Sequence, residues 1–145
     1  MGTLTELPAP EISVSGLSDR LPWHTVHHVH DPDGGLPPCT YSEGLATRPG
    51  RAFELATTGL GCWLALHVIE KTGEQLTDDF LDPAEGLELD RVLNGGYRVR
   101  LRRVGDPAFL SLPADTVVWQ VLTPDKLGGF PGDLGYAEQW PQPLL

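Results

Sequence analysis

The chain has 145 residues, about one ordinary domain, and its 20 Asp and Glu against 10 Lys and Arg leave a net charge of -10. That balance repels nucleic acid and anionic lipid, and no apolar run approaches the roughly 20 residues that span a bilayer, so neither nucleic acid nor membrane is expected as a partner. The start, MGTLTELPAPEIS, lacks the basic and apolar stretches of a secretory signal, and the two cysteines, Cys39 and Cys62, read as small apolar residues in a reducing compartment, so a cytoplasmic location is expected.

Residues 1–12, with Pro8 and Pro10, read as a loosely ordered arm ahead of a single domain at 13–145. Residues 23–30 alternate aromatic, polar and β-branched types and stop at Asp31-Pro32-Asp33-Gly34-Gly35, the pattern of a strand ending in a turn. CTYSEGL at 39–45 is a short extended segment, and AFELATT at 52–58 a strand that Gly59 and Gly61 close. From Leu60 to about Leu76 the apolar residues cover more than one stripe, which predicts a helix packed on most sides. The acidic stretch from Asp78 to Asn94 leaves room for one short helical turn. Tyr97, Val99 and Leu101 then alternate with Arg98, Arg100 and Arg102 as a half-buried strand with a basic outer face, and TVVWQVLT at 116–123 is the best buried strand. From Pro124 the chain is a Gly- and Pro-rich coil. These elements predict an α+β fold, a mostly antiparallel sheet packed on one main helix.

Four of the five histidines fall within the 23–30 strand. Strand parity places His24, His28 and His30 on one face with Val26, and His27 on the other. His28-x-His30 is the spacing by which a strand offers two imidazoles to one ion. Zinc, copper, nickel or iron would accept them, with a third ligand from His24, His67, Glu43, Asp31 or Asp33. The pattern does not complete a cupin motif. Proton transfer without metal and an ordinary half-buried strand are the alternatives. His67, inside the helix, reads as a core histidine bonded to a carbonyl.

PPCTYSEGL at 37–45 and AFELATTGL at 52–60, followed by QVLTPDKLGGFPGDLGY at 120–136 and Gln139, resemble the ordered blocks of the bacterial family called domain of unknown function 4262. The resemblance brackets about 100 residues and implies no catalytic residue, since the family carries no established activity. The departures are informative. Cys39 stands where the family has an aromatic, Glu43 where it has a Val, and Gly132 and Thr123 each where it has a Trp. Lost bulk opens space unless other side chains fill it, and a carboxyl group on the wall of such a pocket would be a usable proton carrier.

No GxSxG elbow surrounds Ser42, and no GxGxxG or P-loop occurs, so neither an acyl-enzyme nor an organic cofactor is expected. Arg98, Arg100 and Arg102 read either as a solvated face neutralised by nearby carboxylates or as a clamp for an anionic ligand or an acidic carrier protein. The leading expectation is a small bacterial enzyme of specialised metabolism that isomerises, cyclises or hydrates an apolar, partly anionic small molecule. Its pocket would lie near Cys39, Tyr41, Glu43, Trp119 and Gly132, with Glu43, Tyr41 and His28 in the chemistry and a transition metal on His24, His28 and His30 as an optional aid. The rival expectation is a non-catalytic interaction or immunity-type module.

Overall fold

The structure, a computed structural model, describes residues 11–15, 25–29, 38–45, 52–125, 128–131, 133 and 144–145. The described residues form seven strands, β1 (Glu11–Ser15), β2 (Thr25–Val29), β3 (Cys39–Glu43), β4 (Phe53–Thr58), β5 (Glu88–Leu89), β6 (Val99–Arg103) and β7 (Val117–Leu122). Among them one α-helix, α1 (Cys62–Asp78), follows β4. The sheet order is β1-β2-β3-β4-β7-β6-β5, antiparallel throughout except where β4 and β7 run parallel. The fold is therefore α+β, as expected. No helix among the described residues is long and apolar enough to cross a membrane.

The helix accounts for the parallel pair. Strands lying side by side in the same direction need a crossover connection, and here it consists of α1 followed by β5 and β6. With α1 over one face, Val26, Leu55, Leu101 and Val121 from the sheet close on Leu66, Val68, Ile69 and Leu76 from the helix, along with Leu89 and Val99. A second, smaller core lies on the opposite face. There Tyr41, Ala56 and Val118 meet Val104 and Leu110 from the β6–β7 connection, which carries a 3-10 turn at Pro107–Phe109. β4 is covered on both faces, and all six of its residues are buried.

Several local expectations change. The helix is not packed on most sides: Trp63 is 77% exposed and Leu64 49%, while the buried stripe runs through Ala65, Leu66, Val68, Ile69, Thr72, Gly73 and Leu76. A helix lying on one sheet face can bury only one such stripe, whatever apolar residues it carries elsewhere. It continues to Asp78, where Gln75 ties its end to the following loop by accepting from the Arg91 N–H (2.8 Å) and donating to Asp90 (3.0 Å). Arg91 also pairs with Asp79, and that hydrogen bond holds the Asp79 carboxyl below its ordinary value. The 78–94 stretch yields the two-residue β5 rather than a helical turn. Tyr97 is exposed and lies before β6. The boundary expected at residue 12 falls inside β1.

Candidate functional site

Pairing registers align five residues across the sheet face opposite α1. His27 stands opposite Tyr41, Tyr41 opposite Ala56, Ala56 beside Gln120, and Gln120 opposite Arg102. Adjacent strands are about 4.8 Å apart, so the line from β2 to β6 spans roughly 19 Å. It has an imidazole at one end, a guanidinium at the other, and the smallest side chain, Ala56, in the middle.

At the imidazole end, His27 Nε2 lies 2.7 Å from Glu43 Oε1, and the His27 ring sits 4.9 Å from the Tyr41 ring, tilted by 32°. Tyr41 is buried, whereas the Glu43 side chain is 47% exposed. Glu43 is thus not the desolvated pocket wall that the sequence suggested. It reaches solvent at the end of β3 and orients a histidine. That histidine is not His28, because Glu43 and His28 lie on opposite faces. His28 is buried on the helix side beside Val26, as parity required, with Nδ1 2.6 Å from Thr40 Oγ1.

The buried carboxylate is Glu54, 3% exposed in the middle of β4. It accepts from the Ser42 hydroxyl (2.8 Å) and from the N–H groups of Gly44 (3.0 Å) and Leu45 (3.2 Å). Ser42 Oγ in turn accepts the Leu55 N–H at 2.9 Å. Gly44 adopts φ +117°, a conformation that glycine alone takes without strain. This network fixes the turn that ends β3 and thereby sets the position of Glu43. The sequence did carry the signal, an acid inside the apolar run AFELATT, since a charge in a doubly covered strand must be hydrogen-bonded.

At the other end Arg98 and Arg100 share Glu88, and Arg102 has a partner of its own. Arg98 lies 3.9 Å from Glu88, and Arg100 bonds Glu88 (3.0 Å) and Asp133 (3.0 Å) with its guanidinium 4.2 Å over the Phe130 ring. The Phe130 N–H and Arg100 together hold the Asp133 carboxyl below the ordinary carboxylate value. Arg102 instead donates through Nη1 to the main-chain oxygen of Leu145. The buried Gln120 accepts the Leu145 N–H at 2.8 Å and donates to Thr58 Oγ1 at 3.0 Å. Sequence reasoning did not single out His27 as a catalytic residue, and it missed Glu54 and Gln120, whose roles depend on which strands become neighbours.

Trp119 does not share a pocket with Tyr41 and Cys39. Its neighbour Gln120 faces the second core, so Trp119 points to the helix side, packs against the larger core and receives the Arg103 guanidinium 5.8 Å over its ring. Gly132, His24 and His30 lie outside the described residues, so the expected pocket at Gly132 and the His28-x-His30 pair are not located. Among the described residues, no group of three or more His, Cys, Asp or Glu side chains is arranged to hold a metal ion. His67 bonds the Val92 carbonyl at 3.0 Å, as expected, but from an exposed position rather than the core. A cleft of about 620 Å³ lies between the two arms of the β6–β7 connection, lined by Val104, Asp106, Pro107, Leu112 and Asp115, and includes no residue of the His27–Glu43 pair.

Cys39 shares the face of Tyr41, and burial pushes its thiol up to about 11. At pH 8 only about one thiol in a thousand is then ionised, so Cys39 is a packing residue and not a nucleophile. In a Cys62→Ser variant, labelling of Cys39 by a disulfide reagent at pH 8 is expected to run at least 100-fold slower than labelling of the unfolded chain. Comparable rates would contradict this assignment.

Comparison of the chain with protein-family models, curated proteins and solved structures gives no match.

Proposed function

We propose that the sheet face opposite α1 binds an apolar, partly anionic small molecule and that His27, held by Glu43, transfers protons to and from it. The observation that carries this reading is the 2.7 Å contact between His27 Nε2 and Glu43 Oε1 beside the buried Tyr41. A carboxylate on one ring nitrogen fixes the orientation of an imidazole, which is what a group that alternately takes and returns a proton requires. Arg102, at the far end of the same line, supplies a cation for an anionic substituent. Ala56 between them is buried beneath the second core, whose partly buried member Leu145 an apolar body would displace to reach this part of the face.

Isomerisation, hydration and cyclisation through proton transfer fit such a site, and none of them calls for an organic cofactor. A metal ion on the histidine strand and an acidic carrier protein delivering the ligand to the arginines remain compatible extensions of this reading. Isomerisation and hydration in D2O both leave solvent deuterium on carbon, so the reaction can be detected before its substrate is identified. Apolar keto and unsaturated carboxylates incubated with the protein in D2O should yield at least one deuterated product by mass spectrometry. That product should disappear with His27→Gln. A panel with no incorporation above buffer would overturn the proposal.

The second reading, a non-catalytic interaction module, draws on Trp63, which lies beside Leu64 on the exposed face of α1. Exposed aromatic residues of this kind are enriched at the cores of protein interfaces.

A further inference from the structure

The residue seated on the guanidinium end of the face is part of the chain itself. Leu145 places its side chain against the second core of Tyr41, Ala56, Val104, Leu110 and Val118. Its N–H donates to Gln120 Oε1 at 2.8 Å, and its main-chain oxygen accepts from Arg102. Gln120 has no exposed surface, and its amide is orientated because Nε2 donates to Thr58 Oγ1 at 3.0 Å, which leaves the carbonyl oxygen aimed at Leu145. Arg102 and Gln120 stand directly opposite each other on β6 and β7, so the two polar anchors are set by the sheet and not by a loop.

One acceptor for an N–H, one cation for a main-chain oxygen and one apolar wall form the complement of a single acylated amino-acid residue. We infer that this seat is a binding site for an N-acylated apolar L-α-amino acid, with Leu145 as its built-in occupant. A ligand lacking the N–H forfeits the bond that Gln120 makes to Leu145. A ligand carrying a free carboxylate gains over an amide, because the guanidinium then meets a full charge. Leu145 competes for this seat from within the chain, so an external ligand binds more tightly once Leu145 gives up its side chain. The same chemistry is offered by a free N-acyl amino acid and by the last residue of a peptide. The site rests on Gln120, Arg102 and Leu145, so it stands or falls separately from proton transfer at His27.

The test uses the full chain carrying Leu145→Gly, titrated calorimetrically with N-acetyl-L-leucine, its amide and the tripeptide N-acetyl-Ala-Ala-Leu. N-acetyl-L-leucine is expected to bind this variant at least tenfold more tightly than the unaltered chain and at least tenfold more tightly than the amide does. Adding Arg102→Gln should remove that preference. A tripeptide that binds far more tightly than N-acetyl-L-leucine identifies peptide ends as the ligand, and equal affinities identify the free N-acyl amino acid. In the unaltered chain, millimolar N-acetyl-L-leucine should move the Leu145 amide resonance toward that of an unbound peptide, a readout that serves even if Leu145→Gly folds poorly. An unmoved Leu145 resonance, or a folded Leu145→Gly variant that binds no probe, would overturn the inference. Binding that persists while His27→Gln has no effect on deuterium incorporation would leave this site intact and remove the proposed chemistry.

Discussion

His27→Gln is expected to lower the catalysed rate of proton transfer by roughly 10²- to 10⁴-fold, the usual contribution of a positioned general acid or base. Glutamine keeps a polar group of similar reach beside Tyr41 and Glu43 but carries no proton in the range where imidazole does. Glu43→Gln should cost less, about tenfold, because Glu43 is 47% exposed and its charge is screened by solvent and salt. His28→Gln is the internal control. His28 is buried on the helix side and bonded to Thr40, so the rate per folded molecule should not change. Initial rates of deuterium incorporation on the most responsive compound measure all three. A full rate in His27→Gln, or a loss in His28→Gln as large as that in His27→Gln, would show that the reacting face has been misassigned.

The largest effect on stability should come from Glu54→Ala. Three donors would lose this acceptor, two of them, the Ser42 hydroxyl and the Leu45 N–H, in a place that water reaches poorly, and the third, the Gly44 N–H, in a half-buried one. Each unsatisfied buried donor costs about 1–3 kcal/mol, and the three share one network and do not add fully, so a loss of about 3–5 kcal/mol is expected. That is a large fraction of the roughly 5–15 kcal/mol by which a domain is ordinarily stable. Glu54→Gln should cost less, about 2–3 kcal/mol, since the amide keeps one acceptor but turns an NH2 group toward a donor. Urea unfolding at neutral pH gives both numbers. Glu43→Gln, on the exposed end of β3, should shift stability by no more than about 0.5 kcal/mol. A Glu54→Ala variant within about 1 kcal/mol of the unaltered chain would mean that the end of β3 is held by something other than this carboxylate.

The strands were legible because their patterning is local. TVHHV, CTYSE, FELATT and VVWQVL are each formed where alternation and turn residues placed them. Parity also separated His28 from His27 correctly, since a period of two is a property of one strand alone. What a single strand does not encode is its neighbour. The contact between His27 and Glu43 depends on the β2–β3 register, and the line ending in Gln120 and Arg102 depends on β7 inserting between β4 and β6. The sequence places Trp119 near Tyr41 in one expected pocket, whereas the parallel register of β4 and β7 sets them on opposite faces. The helix misled for a related reason. Trp63 and Leu64 are apolar, yet α1 meets only one layer, and nothing in the described residues covers them. Glu54 was readable in principle, as an acid in a strand too apolar to face water.

The proposed role of the face opposite α1 is tested most directly by mapping ligand contacts on the isotopically labelled full chain with N-acetyl-L-leucine and a set of aliphatic keto carboxylates. Amide shifts should concentrate on His27, Tyr41, Ala56, Val118, Gln120 and Arg102, leaving the partners of the helix-side core, Leu66, Ile69 and Leu101, unmoved. Shifts confined to α1 or to the cleft at Val104–Thr116, or no shifts at millimolar ligand, would contradict the assignment of this face as the functional one.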